Sequence, residues 1–281
     1  MRMAGSLQGG LVMATQVAQE VELRTAPNGV RFAVFGETGL DDAELVRMVQ
    51  AVPVSIAAAL AGKAYYFVPL AMAEGRVGET TGHRSGNEAT MVAPAYTAEL
   101  AELAICHRNV ALAAGTLGKD SQGEGVFIST RLLSDRFSLA FEFFINVAHN
   151  FVEAAGVPES FSALAWSQAE AQVRGETSQD AWETRRRAQD IGPMGSSTGD
   201  GRNGQKVIDE RSRSSYYESA FSDSLAVYML SLAVDFDYHD LREREYPLLA
   251  APALAERLRH VASLFPPNAG YDFQILYRRK G

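Results

Sequence analysis

The chain has 281 residues, 47% hydrophobic and 21% charged, with 26 basic and 34 acidic side chains and a formal net charge of −8. That length and composition suit a globular protein that buries a full core without staples, and they exclude a disordered or fibrous chain. The acidic balance argues against nucleic acid or an anionic membrane surface as partner, and the single cysteine, Cys106, excludes a disulfide framework or a multi-cysteine metal site.

Residues 1–19 read as a flexible N-terminus, a frayed leader without a cleavage signal, and residues 20–281 as a single domain in two lobes. No apolar run reaches the ~18 residues of a membrane span, so a cytoplasmic protein is expected. Val30–Phe35 is a β-rich run closed by Gly36 and Gly39. Asp41 and Asp42 place negative charge at the start of a helix running to about Ala51, where Pro53 interrupts. Ile56–Leu60 adds a helical turn, and Ala64–Val68 is a second strand. Glu74–Thr90 is polar and Gly-rich and reads as an exposed loop, whereas Leu100–Cys106 is ambiguous between helix and strand.

Gly115–Gly125 carries turn chemistry and leads into a third strand, Val126–Ser129. Ser138–Ala155 is almost wholly apolar and is expected to be the most buried helix, and Phe161–Gln189 reads as one increasingly charged helix. Ile191–Gly204 is a Gly-rich stretch expected to form a mobile loop. Helices over Ser215–Ala233 and Ala251–Ser263 come next, and Pro266–Pro267 precedes a strand-like piece, Tyr271–Tyr277. The fold class is α+β, with a small mixed sheet and a buried helix that carries the site.

The sharpest chemical signal is His149–Asn150–Phe151–Val152–Glu153 on that helix. His149 and Glu153 are four residues apart, so they project from one face about one turn apart, the spacing by which an HExxH helix chelates an ion. Asp223 interrupts a small and apolar stretch of the later helix, and a carboxylate buried there needs a partner or a metal.

These segments resemble the zincin metallopeptidases of the anthrax lethal factor catalytic-domain type. The resemblance spans roughly residues 30–250 and is carried by the order of elements: VRFAVF and DDAELVRMVQAVP, then GTLGKDSQGEGVFIS before the metal helix. FFINVAHNFVEAAG resembles the HExxH helix, and FSDSLAVYML and LREREYPLL resemble the downstream segments of such enzymes. The resemblance implies a two-lobed zincin-like domain, with His149 on the first ligand position and Asp223 on the distal one. It also implies that Tyr216 or Tyr217 matches a tyrosine beside the reacting carbonyl, and that Val126–Ser129 is an edge strand docking an extended substrate.

Two departures redirect the chemistry. Asn150 stands where the general base glutamate would be and cannot shuttle protons, and Glu153 replaces the second histidine. The set His149, Glu153 and Asp223 would hold one divalent ion (zinc, iron or manganese) in a harder site, suited to orienting a small molecule or modified peptide rather than to amide hydrolysis. Asn150 would then orient substrate or metal-bound water. The alternative is a metal-free pseudoenzyme serving as a peptide or protein binding module.

Other features rank below this. Cys106 and His107 are adjacent and point apart, His83 reads as a solvated surface histidine, and His239 reads as part of a helix-terminal charge cluster. Arg185–Arg187 reads as a solvated helix face, and no P-loop lysine accompanies the glycines.

Overall fold

The computed structural model describes residues 10–73, 89–117, 123–133, 135–189, 210–234 and 246–275. The protein is α+β. Its chain divides into two compact units, Met1–Asn146 with Pro267–Tyr271, and Val147–Pro266 with Asp272–Gly281.

The first unit corrects the expectation for the N-terminus. Val12–Met13 (β1) is already a strand, and Ala14–Glu20 (α1) is a helix that buries Ala14, Val17 and Ala18. Those positions follow the i, i+3, i+4 spacing, so a run that reads as broken is one apolar stripe. It packs in a cluster with Ala33, Tyr66, Val68 and Phe127.

Arg24–Thr25 (β2), Arg31–Val34 (β3), Lys63–Val68 (β4), His107–Leu112 (β8) and Gly123–Ser129 (β9) form a five-stranded sheet of order β2-β3-β4-β9-β8. β3, β4 and β9 are mutually parallel, whereas β2 and β8 run antiparallel to their neighbours. Ala64–Val68 is buried throughout, as a strand covered on both faces requires. β9 pairs with β4 on one side and β8 on the other, so Val126–Ser129 is interior, and the outer strands of this sheet are β2 and β8. A sequence run of apolar residues cannot distinguish the two positions, because both bury side chains.

Asp42–Gln50 (α2) starts where the acidic pair predicts, with the Asp41 carboxylate accepting from the Glu44 amide at 3.0 Å. Val54–Ala59 (α3) follows Pro53. Leu70–Ala73 (β5), Thr90–Ala93 (β6) and Ala104–Ile105 (β7) join β1 in a second sheet of order β1-β6-β5-β7. The ambiguous stretch thus resolves into Ala98–Ala101 (α4) followed by β7. Residues 271–275 form no strand; instead the Asn268 amide donates to the carbonyls of Gln50 and Val52, both at 2.8 Å.

Arg136–Ala155 (α5) leads out of the first unit, and from Val147 it belongs to the second. Phe161–Gln189 is not one helix but two, Glu159–Glu170 (α6) and Gln179–Gln189 (α7). Between them Gln172 and Gly175 take positive φ, +54° and +77°. A Cβ at Gly175 would lie 2.0 Å from the Leu248 carbonyl oxygen, so only glycine fits there. The same contact draws in the backbone: Glu176 N–H donates to Pro247 O at 3.0 Å, and Leu249 N–H to Glu176 O at 2.9 Å. Glu210–Ala233 (α8) and Ala251–Leu264 (α9) complete the unit. Phe151, Phe161, Phe221 and Phe265 form its aromatic core, with Phe161 and Phe221 4.9 Å apart and Phe151 and Phe265 5.2 Å apart.

Candidate functional site

α5 is amphipathic rather than buried all round. Val147, Ala148 and Phe151 are buried, whereas His149 and Glu153 are exposed on the opposite face. Their one-turn spacing therefore marks a solvent-facing stripe, not ligands sunk in a core.

That stripe forms the wall of a cavity of about 780 Å³ in the second unit. His149, Val152 and Glu153 of α5 line it, followed by Gly156 and Val157 in the turn and Ser162 at the start of α6. The facing wall is α8, which contributes Ser214, Glu218 and Ser222 at successive turns with Tyr217 and Ser219 beside them. The Ser214 hydroxyl donates to Glu218 Oε1 at 3.3 Å, and the Ser219 hydroxyl to Ser215 O at 3.0 Å. Tyr217 accepts a hydrogen bond from Arg213 Nε. The Arg213 guanidinium lies 4.5 Å from the Trp166 ring centre and 5.5 Å from that of Tyr217, a cation held on two aromatic faces.

The remaining predicted residues lie elsewhere. Asn150 is buried and does not line the cavity. Asp223 is buried one position beyond Ser222, and its Oδ2 accepts from the Thr177 hydroxyl at 2.8 Å. Burial pushes its pKa up to about 6, against the hydrogen bonds from Ser178 and Thr177; nearby Glu176 raises it further and Arg257 opposes. Among the described residues, no three His, Cys, Asp or Glu side chains stand together as a metal site. His149, Glu153 and Asp223 are therefore not gathered into the ligand set the resemblance implies. The physical reason is their facing: two are on the outer stripe of α5, and the third turns to the loop before α7.

Tyr216, the other candidate beside a reacting carbonyl, is fully buried in a charge cluster that the sequence does not announce. Glu176 is its centre, completely buried between Arg185 and Arg257. Arg257 donates to both Glu176 carboxylate oxygens, at 2.9 and 3.2 Å, to Gln168 Oε1 at 2.8 Å and to the Tyr216 oxygen at 3.1 Å. Arg185 donates to Glu176 Oε1 at 3.1 Å and to Gly175 O at 3.0 Å. Tyr216 donates its own proton to Glu176 Oε1 at 2.8 Å. Burial, together with the adjacent carboxylate, holds the Tyr216 phenol protonated far above its ordinary range, with the arginines opposing. Arg257 stays charged although burial alone would lower its pKa, because Glu176 and Tyr216 more than compensate.

Arg185 thus departs from the solvated face expected of Arg185–Arg187: it is buried, while Arg186 and Arg187 are exposed. The signal was its spacing, since Ala181, Arg185 and Ala188 share the inner face of α7. Arg257 likewise sits within the stripe Leu254, Leu258 and Val261 of α9.

In the first unit, His107 Nδ1 is 2.6 Å from Glu142 Oε1, and the Asn146 amide also reaches that oxygen at 3.2 Å. Partial burial, and then the Glu142 charge, push the Cys106 thiol pKa up, the opposite of what a nucleophile needs. His83, His239, most of the Glu74–Thr90 stretch and all of Ile191–Gly204 lie outside the described residues. No described helix is long and apolar enough to cross a membrane.

Comparison of the chain with protein families, with curated proteins and with solved structures finds no match in any of the three.

Proposed function

We propose that the second unit is a metal-free binding module, taking a small molecule or a peptide segment into the cavity between α5 and α8 on a zincin-like scaffold. The observation that carries this is the cavity itself: at about 780 Å³ it falls within the range of small-molecule sites. His149, Glu153 and Tyr217 share its wall, while Asp223, the third donor that a metal site would need, is engaged by Thr177. The scaffold reading is supported by a sheet of three parallel strands with an antiparallel outer strand, followed by the helix bearing His149. In this role His149 and Tyr217 supply hydrogen bonds that orient the ligand, and the serine hydroxyls satisfy its polar edge.

Two measurements on purified protein test this. Protein equilibrated with zinc, manganese or iron(II) and then desalted is expected to retain no stoichiometric metal. A stoichiometric ion lost in His149→Ala would overturn the metal-free reading. Selection on a tripeptide library is expected to yield ligands whose binding is lost when Ser214→Trp or Val152→Trp fills the cavity; equal binding by both variants would overturn the cavity as the site.

A further inference from the structure

We propose that the first unit binds a carboxylate between Arg31 and Tyr66, on the sheet face that packs with α1. This site belongs to the first unit alone and does not depend on the role proposed for the cavity. Among the described residues, two buried side-chain polar atoms have no hydrogen-bond partner, Arg31 Nη2 and the Tyr66 hydroxyl oxygen. The sheet register brings them to one place. Ala33 of β3 pairs with Tyr66 of β4, and Arg31 stands two residues before Ala33, so both side chains rise from the same face. Each acts electrostatically on the other, yet no hydrogen bond joins them.

The phenol is held where it is. Tyr66 is 1% exposed and stacks on Phe127 with ring centres 4.6 Å apart, and a Cβ at Gly125 would lie 3.0 Å from its ring edge. It therefore cannot swing out to water. A buried donor with no acceptor carries its full desolvation cost, and two of them at one place mark a demand for an acceptor.

The charge of that acceptor follows from Arg31. Its Nη1 donates to the Leu117 carbonyl at 2.6 Å, a neutral partner, and among the described residues no carboxylate bonds to it. Burial lowers its pKa, with Tyr66 opposing, which is the mark of a cation drawn from water without an anion beside it. The guanidinium nonetheless stays charged, and buried charges are stable when paired. Burial raises the pKa of Tyr66, with Arg31 opposing, so the phenol keeps its proton and remains a donor. A carboxylate answers both groups: one oxygen accepts from Nη2 and the other from the phenol, each in a charge-assisted bond. Arg31 is half-buried whereas Tyr66 is sealed, so the ligand's head group enters along the arginine.

The test is titration of the whole chain, labelled with nitrogen-15 arginine, with sodium formate, acetate, succinate, phosphate and chloride in a zwitterionic buffer. The Nε–H resonance of Arg31, assigned by its loss in Arg31→Lys, is expected to shift saturably with the carboxylates. The tightest of the three shows whether the group arrives as a small acid or at the end of a longer molecule. Tyr66→Phe is expected to weaken that binding by about tenfold or more. Melting temperatures give a second readout: carboxylate is expected to raise that of the wild type more than that of Tyr66→Phe. Without anion, Tyr66→Phe is expected to melt no lower than the wild type, because the oxygen it removes has no partner in the chain. A lower melting temperature there would show that the phenol is already bonded and would overturn the site. Phosphate or chloride binding more tightly than every carboxylate would overturn the ligand class. Equal carboxylate binding by Tyr66→Phe, or no saturable shift with any probe, would show that water serves the two donors and would overturn the proposal.

Discussion

Two polar regions of the second unit share α8 and behave in opposite ways. Tyr216 faces the buried cluster of Glu176, Arg185 and Arg257, and its neighbour Tyr217 faces the cavity with His149 and Glu153. Further along the helix, Ser222 lines the cavity while Asp223 turns to Thr177. Successive residues on a helix are about 100° apart, so a single step in sequence separates a group sealed in the core from one open to a ligand. In the cluster each charged group is satisfied by another of the same chain, which leaves it no capacity for a substrate. Around the cavity the polar groups bond to close neighbours on their own helix and also border open space.

The comparison breaks first at Glu176. Replacing it with glutamine leaves two buried guanidiniums without their shared anion, and a broken buried pair costs about 3–5 kcal/mol. Denaturant unfolding of Glu176→Gln is expected to show a loss in that range. A loss below ~1 kcal/mol would mean that the cluster is hydrated and that the two regions do not differ in kind.

Asp223 gives the next largest effect through pH. Its carboxyl titrates near 6 in the folded chain against an ordinary value of 3.8. The folded state therefore binds the proton more tightly than the unfolded one, so stability falls as pH rises from about 4 to about 6, and the cost is complete above that window. A displacement of that size corresponds to roughly 3 kcal/mol. Asp223→Asn keeps an acceptor for Thr177 but carries no charge. Its advantage over the wild type is expected to grow by about that amount between pH 4 and pH 7, and a pH-independent difference would show that the group does not titrate in this range.

Much of the fold was legible from periodicity, because the helices over 42–50, 136–155 and 251–264 bury stripes that repeat near every 3.6 residues. What escaped was set by tertiary partners. The break at Gly175 depends on the approach of the Leu248 carbonyl, which no local pattern encodes. The interior position of β9 depends on β8 joining its far side. For the site, the spacing of His149 and Glu153 correctly put them on one face, but an i, i+4 pair does not say whether that face is inward. Glu176 follows a glycine in a connecting segment and has no periodic signal, whereas Arg185 and Arg257 were readable as charges set within apolar stripes.

A smaller effect sharpens the boundary on α8. Tyr216→Phe removes a donor to Glu176 and an acceptor for Arg257, a loss of about 1–2 kcal/mol. Tyr217→Phe removes an oxygen on a half-buried side chain and is expected to stay within ~0.5 kcal/mol. Thermal unfolding of the two variants side by side measures the contrast, and equal losses would place both phenols in one network.

The smallest stability effect belongs to the residues that define the cavity, and that is what makes them informative. His149 and Glu153 are exposed on α5, and surface substitutions away from caps and cores change stability by about 0.5 kcal/mol or less. His149→Ala and Glu153→Ala are expected to fold with unchanged unfolding midpoints. A polar pair kept for stability would cost more when removed, as the groups around Glu176 do. If these variants unfold as readily as Glu176→Gln, the outer stripe of α5 is part of the scaffold. If they remain stable yet lose the ligands selected by the wild type, their positions serve binding alone, because folding places no demand on them.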